Sequence, residues 1–83
     1  TEWNTYINTL AQCRELKGIT ISRNLTPATR GAKMTTLVNQ AIDALNDMLS
    51  TGKLSNISTT TKLTSSIFVS LQDKLNGIID GVV

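Results

Sequence analysis

The chain contains no histidine, one cysteine (Cys13), one proline (Pro27) and three aromatic residues, Trp3, Tyr6 and Phe68. Without histidine it lacks the commonest general base and the commonest metal ligand. A single cysteine forms no disulfide within the chain, and the remaining metal donors are carboxylates alone. Three aromatics are few for the walls of an enzyme pocket. No glycine-rich phosphate loop of the P-loop or dinucleotide kind occurs. The longest apolar runs, such as Ile67–Val69, are far too short to span a bilayer. The start shows no charged, apolar and small-residue order of a signal peptide. These absences lead to the expectation of a soluble, non-enzymatic protein made in the cytoplasm. It would have no cofactor, no metal, no membrane contact and no small-molecule substrate.

What is present is polar and helical. Thr, Ser and Asn make up about a third of the 83 residues, and charged residues only 17%. The length limits the chain to one small domain. Such a domain buries only ~60% of its unfolded surface and is marginally stable, so oligomerisation or docking is a common supplement. The chain begins with Thr1, which fits either removal of an initiator Met or a trimmed fragment.

Three segments carry helical spacing. In the first, about Glu2 to Lys17, Trp3, Tyr6, Ile7, Leu10 and Ala11 make a stripe. Thr1 is placed to cap its start and Gly18 to end it. Arg14 and Lys17 prolong the apolar face, with stems that can lie over a core edge. Leu16 points about 120° away from Leu10, towards a second surface or a partner. Cys13 sits at the stripe's edge, where a free cysteine behaves as a small hydrophobe. The connector, about 18–25, holds the β-branched Ile19-Thr20-Ile21 and favours an extended path across a helix groove or along a partner's sheet edge.

The second segment has the clearest start signal. Thr26-Pro27 places a capping hydroxyl before a proline at the first helical position, and Leu25 sits where a hydrophobic staple would. The spacing predicts a helix from there to about Ser50, with Ala32–Leu49 as its firm part, since Gly31 weakens the first turns. Its stripe is Met34, Leu37, Val38, Ala41, Ile42, Leu45, Met48 and Leu49. Thr36, Asn39, Gln40, Asp43, Asn46 and Asp47 lie mostly opposite, with Asp43 and Asp47 read as solvated surface. Gly52 is a stop, and a polar connector, about 52–63, follows with Leu54 and Ile57 as anchors. The third segment runs from about Thr64, its cap, to the end. Ile67, Phe68, Leu71, Leu75, Ile78 and Val82 share its face.

The fold expected is therefore all-α: a short N-terminal helix, an extended connector, a long central helix and a C-terminal helix. Helices two and three would pack antiparallel, with helix one closing the core. The stripes exceed what so short a chain covers unaided, so the same residues serve as core and as interface to other proteins.

Charge is uneven although the net is only +2. Arg14, Lys17, Arg23, Arg30 and Lys33 face only Glu15 in their stretch, which makes them the candidate anion-binding set. The other reading of that block is a solvated linker with helix ends. Trp3 and Tyr6, at helical spacing beside Ile7 and Leu10, read as core or interface anchors before base-stacking groups. Asp43 and Asp47, four apart, lack apolar walls that would perturb a carboxylate pair.

Two resemblances add to this. Leu10-Ala11-Gln12-Cys13-Arg14-Glu15-Leu16-Lys17-Gly18-Ile19-Thr20 resembles the opening of a phage-repressor-type helix-turn-helix domain. That family continues with a short helix, a turn and a recognition helix. Ser22-Arg23-Asn24-Leu25-Thr26-Pro27 and one long helix stand there instead, so no base-contacting residue is carried over. The Thr-, Ser- and Asn-rich helical texture of the whole chain resembles small structural proteins of tailed-phage virions, without a specific motif. That resemblance implies a multi-copy structural role as adaptor, decoration or internal component. The leading expectation is a helix-mediated assembly protein, self-associating or packed on other structural proteins, in a virion. The alternatives are a small nucleic-acid-binding module using the basic block, and an effector docking on one host protein.

Overall fold

The first helix, α1, spans Glu2–Leu16, and Gly18 ends it as its spacing predicts. With φ +73, Gly18 takes the left-handed conformation that side chains resist. Its N–H donates to the Glu15 carbonyl and the Ile19 N–H to the Arg14 carbonyl, each at 3.0 Å, so the last turn keeps its acceptors paired. These features come from a computed structural model that describes residues 2–58 and 60–81. The expected cap Thr1 and stripe residue Val82 lie outside the described residues.

The second helix, α2, is Met34–Asn46, and the third, α3, is Ser65–Ile79. The fold is all-α with three helices, as expected, but the central helix is not the long one. It starts seven residues after Pro27 and ends before Ser50. Gly31 is left-handed, φ +88, which no α-helix accommodates. The Thr26-Pro27 signal is overridden from α1. The Thr26 carbonyl accepts the Trp3 indole N–H at 3.1 Å, and the Ala28 N–H donates to Asn4 Oδ1 at 2.9 Å. A buried indole needs an acceptor, and an extended 26–28 segment supplies it. At the far end, 3₁₀-type bonds from Met48 to Leu45 and from Leu49 to Asn46 replace the last helical turn. Thr64 precedes α3 in extended geometry, but its hydroxyl pairs with Ser66 Oγ at 2.8 Å instead of a helix N–H.

The helices run parallel, which corrects the antiparallel expectation. Near their starts, Trp3 and Phe68 rings lie 6.3 Å apart, and Trp3, Met34, Val38, Ile67 and Phe68 line one recess. Midway, the Tyr6 hydroxyl donates to the Leu71 carbonyl at 2.8 Å. Near their ends, Arg14 reaches Ala44 and Asp47, and Cys13, Leu16, Ile78 and Ile79 line one recess. Each connector therefore returns along the bundle. Going back over a 15-residue helix covers about 22 Å and takes roughly seven extended residues. The connectors, 17–33 and 47–64, are long enough. The first descends from Ile21, whose carbonyl accepts from Arg14, to Ala28 beside Asn4. The second descends beside α2 from Leu54 to Ile57 and reaches Leu63 near the start of α3.

Among the described residues neither return strap has a neighbouring strand, and side chains pair with part of its backbone instead. Asn46 accepts the Leu54 N–H at 2.9 Å and donates to the Leu54 carbonyl at 2.8 Å. Asn39 holds Ile57 in the same way, at 2.8 and 2.9 Å. The expected anchors Leu54 and Ile57 do pack on the core. Part of the polar face of α2, at Asn39, Asp43 and Asn46, thus meets this strap instead of facing open solvent, while Thr36 stays exposed.

The core holds Trp3, Tyr6, Ile7, Leu10, Cys13, Leu37, Val38, Ala41, Ile42, Ala44, Leu45, Leu49, Leu71, Leu75 and Ile78. Met34, Met48, Ile67 and Phe68 are partly buried against it, and Ala11 is exposed. The α2 stripe is covered within the chain. Apolar surface left over lies elsewhere, at Leu16, Ile21, Leu63, Val69 and Ile79.

Candidate interaction surface

A parallel three-helix bundle has three seams, and this chain covers two of them. The first strap lies on α1 and α2 through Asn4, Arg14 and Asp47. The second lies on α2 through Asn39 and Asn46, with Gly52 beside the Lys74 ammonium of α3. Among the described residues no strap covers the α1–α3 seam. Two recesses open there. The one nearer the helix starts, about 530 Å³, is lined by Glu2, Thr5, Tyr6, Thr9, Gln72, Leu75 and Asn76. The one nearer the helix ends, about 420 Å³, is lined by Thr9, Gln12, Cys13, Leu16, Lys17, Ile78 and Ile79. Thr9 borders both, so they lie side by side along the seam as two halves of a shallow groove.

The groove has an apolar floor and a polar rim. Tyr6, Cys13, Leu75 and Ile78 are buried. Leu16 stands 89% exposed and Ile79 54% exposed at its outer end. Burial pushes the Tyr6 phenol above its ordinary pKa, so it stays a hydrogen-bond donor to Leu71. Cys13 lies in the floor as a small hydrophobe. A third, more apolar recess of about 260 Å³ opens near the helix starts, between Trp3, Met34, Val38, Ile67, Phe68 and Leu71, with Leu63 at its lip.

The structure divides the expected anion-binding set. Arg14 is buried and spends its guanidinium on the Ala44 carbonyl at 2.8 Å, the Asp47 carboxylate at 2.8 Å and the Ile21 carbonyl. Arg23 grips both Asp47 oxygens, at 2.8 and 2.9 Å. Lys17, Arg30 and Lys33 are exposed, with no ion pair among the described residues. Two of the five cations are therefore paired with one carboxylate.

That carboxylate was expected on solvated surface, yet its side chain is only 9% exposed. Hydrogen bonding from Arg23 lowers its pKa to about 2, against the opposing effect of burial and with help from Arg14. Asp47 caps α2 at its C-terminal end, where the helix dipole disfavours an anion. The two arginines supply the positive charge that end prefers. Asp43, its neighbour one turn back, accepts from Asn56 at 3.1 Å. Beside it, Gln40 Oε1 is buried without a partner among the described residues. It borders a polar recess with Ser22, Arg23, Asn24 and Asp43.

Among the described residues no three His, Cys, Asp or Glu side chains cluster, and no helix is long and apolar enough to cross a membrane. The open seam was not legible as a site. Leu16's odd position on α1 was its one sequence signal, since which seam stays open depends on where the connectors run once the three helices have packed. No protein-family model, curated protein or solved structure matches the chain.

Proposed function

We propose that this chain is a non-enzymatic assembly protein whose working surface is the α1–α3 seam. The observation that carries the reading is the uncovered groove ending in exposed Leu16 and Ile79. Elsewhere the chain's own straps lie along its helix seams, apart from the apolar recess at the helix starts. Burying exposed aliphatic side chains on another protein is favourable by roughly 25 cal/mol per Å². The Thr-, Ser- and Asn-rich composition, similar in texture to small tailed-phage structural proteins, supports placing that role in a virion.

The nucleic-acid alternative has less support. Arg14 and Arg23 are already paired with Asp47, which leaves Lys17, Arg30 and Lys33 to meet phosphates. Such binding would be weak at low salt and vanish as salt rises.

Native mass spectrometry and light scattering across a wide concentration range test the assembly reading, together with co-purification from intact particles. Complexes that disappear on Leu16→Glu support it. A monomer at every concentration, found in no larger particle, refutes it.

A further inference from the structure

The two return straps are held differently. In the second, Leu54 and Ile57 are each bound at both N–H and C=O by one asparagine of α2. The same connector places Leu49 in the core. The first strap is held one backbone group at a time. Ile21 and Thr26 offer a carbonyl to Arg14 and Trp3, and Ala28 offers its N–H to Asn4. No residue of 18–33 belongs to the buried core, and Leu25, Ala28 and Ala32 are only partly buried against it. The remaining tie is Arg23 on Asp47, with the Arg23 side chain 37% exposed. The strap can therefore leave without taking a core side chain with it.

The strap also has joints. Gly18 at φ +73 and Gly31 at φ +88 bracket it, and nothing lies within 4 Å of where a side chain would stand on either. Glycines in open space absorb large changes in φ and ψ at little cost. Between them the ties fall into two groups. Arg14 and Arg23 act near the helix ends, Trp3 and Asn4 near the helix starts.

We propose that the first strap is a latch. It swings off the α1–α2 seam as one unit, on Gly18 and Gly31, while the three helices and the second strap stay packed. Local opening of this kind needs less free energy than global unfolding, because few buried contacts are broken. Opening uncovers the seam at Trp3 and Arg14, so the latch gates a surface that the closed form hides. The inference stands apart from the assembly reading, which concerns the α1–α3 seam.

Hydrogen exchange of the full chain in low urea tests it, read at the Ala28 amide and at the indole N–H of Trp3, the one tryptophan. Both protons are held in contacts between strap and bundle. They should exchange with one shared opening free energy and a small urea dependence, both below those of the Ala44 and Leu45 amides in α2. Arg23→Ala removes the tie at the far end of the strap. It should speed exchange at Ala28 and Trp3 by the same factor, up to about fivefold. Ile78→Val, in the core on α3, should speed exchange at Ala44 and Leu45 about two- to tenfold and leave Ala28 and Trp3 unchanged. Circular dichroism verifies that both variants fold. Exchange at Ala28 and Trp3 that matches the α2 amides in free energy and urea dependence would overturn the latch. So would Arg23→Ala affecting neither proton or only one, Ile78→Val speeding both along with α2, or no protection at Ala28 at all.

Discussion

Replacing Arg14 with Met keeps an unbranched apolar stem in the α1–α2 contact and removes only the guanidinium. That group donates to Ala44, Asp47 and Ile21. Its loss leaves the Ala44 carbonyl, one of the α2 end carbonyls, buried without its donor, a cost of about 1–3 kcal/mol. It also leaves Asp47 with Arg23 alone at the negative end of a helix. Removing one partner of a buried ion pair costs about 3–5 kcal/mol, and Arg23 offsets part of that. The expected loss is about 3 kcal/mol, a large share of the roughly 5–15 kcal/mol that holds a small domain. For this size of domain it corresponds to a Tm lower by roughly 12–24 °C.

Urea and thermal unfolding, followed by circular dichroism, measure it. A cycle with Asp47→Asn separates the Arg14–Asp47 coupling from the hydrogen bonds to Ala44 and Ile21. A loss below about 0.5 kcal/mol, the level of an ordinary surface substitution, would refute the account of Arg14 as the donor that satisfies the end of α2. A coupling near zero would refute the ion pair.

Four further outcomes follow from the same geometry. Asp47 has a pKa of about 2 when folded and an ordinary value of 3.8. Its stabilisation is therefore complete above about pH 4 and is lost as pH falls towards 2, and Asp47→Asn should flatten acid unfolding in that window; equal slopes would contradict it. Gly31→Ala should destabilise by roughly 1–2 kcal/mol, since the residue is left-handed with nothing within 4 Å of an added Cβ, whereas a helix running from Pro27 would gain up to ~1 kcal/mol. The sign of that change in unfolding midpoint decides between the two. Asn39→Ala and Asn46→Ala should each cost about 1–3 kcal/mol and speed amide exchange, at Ile57 and Leu54 respectively. Unchanged exchange would show that the strap does not depend on them. Leu16→Glu should leave stability within about 0.5 kcal/mol, because the side chain touches solvent, while abolishing association; a large stability loss would place Leu16 in the core.

What the chain alone determined is local. Periodicity located all three helices and nearly every core residue, because a stripe at 3.6-residue spacing has to face something apolar wherever the helix is placed. Gly18 marked a helix end because only glycine takes that backbone angle at little cost. Leu54 and Ile57 were legible as anchors because they are the apolar exceptions in a polar stretch. Charge pattern, by contrast, misled. Asp47 read as surface, and folding turned it into the meeting point of two basic side chains from 33 and 24 positions away.

Tertiary structure alone decided the start of α2, the parallel order and the open seam. Trp3 claims the Thr26 carbonyl, so a strong local capping signal yields to a buried indole that needs an acceptor. Long connectors permit either helix direction, and their length says nothing about which is chosen. The choice follows from asparagines that replace a missing neighbouring strand, and an asparagine on a helix's polar face looks the same whether it meets water or a backbone. A seam left bare is a property of three helices together, so no single stretch of sequence can announce it.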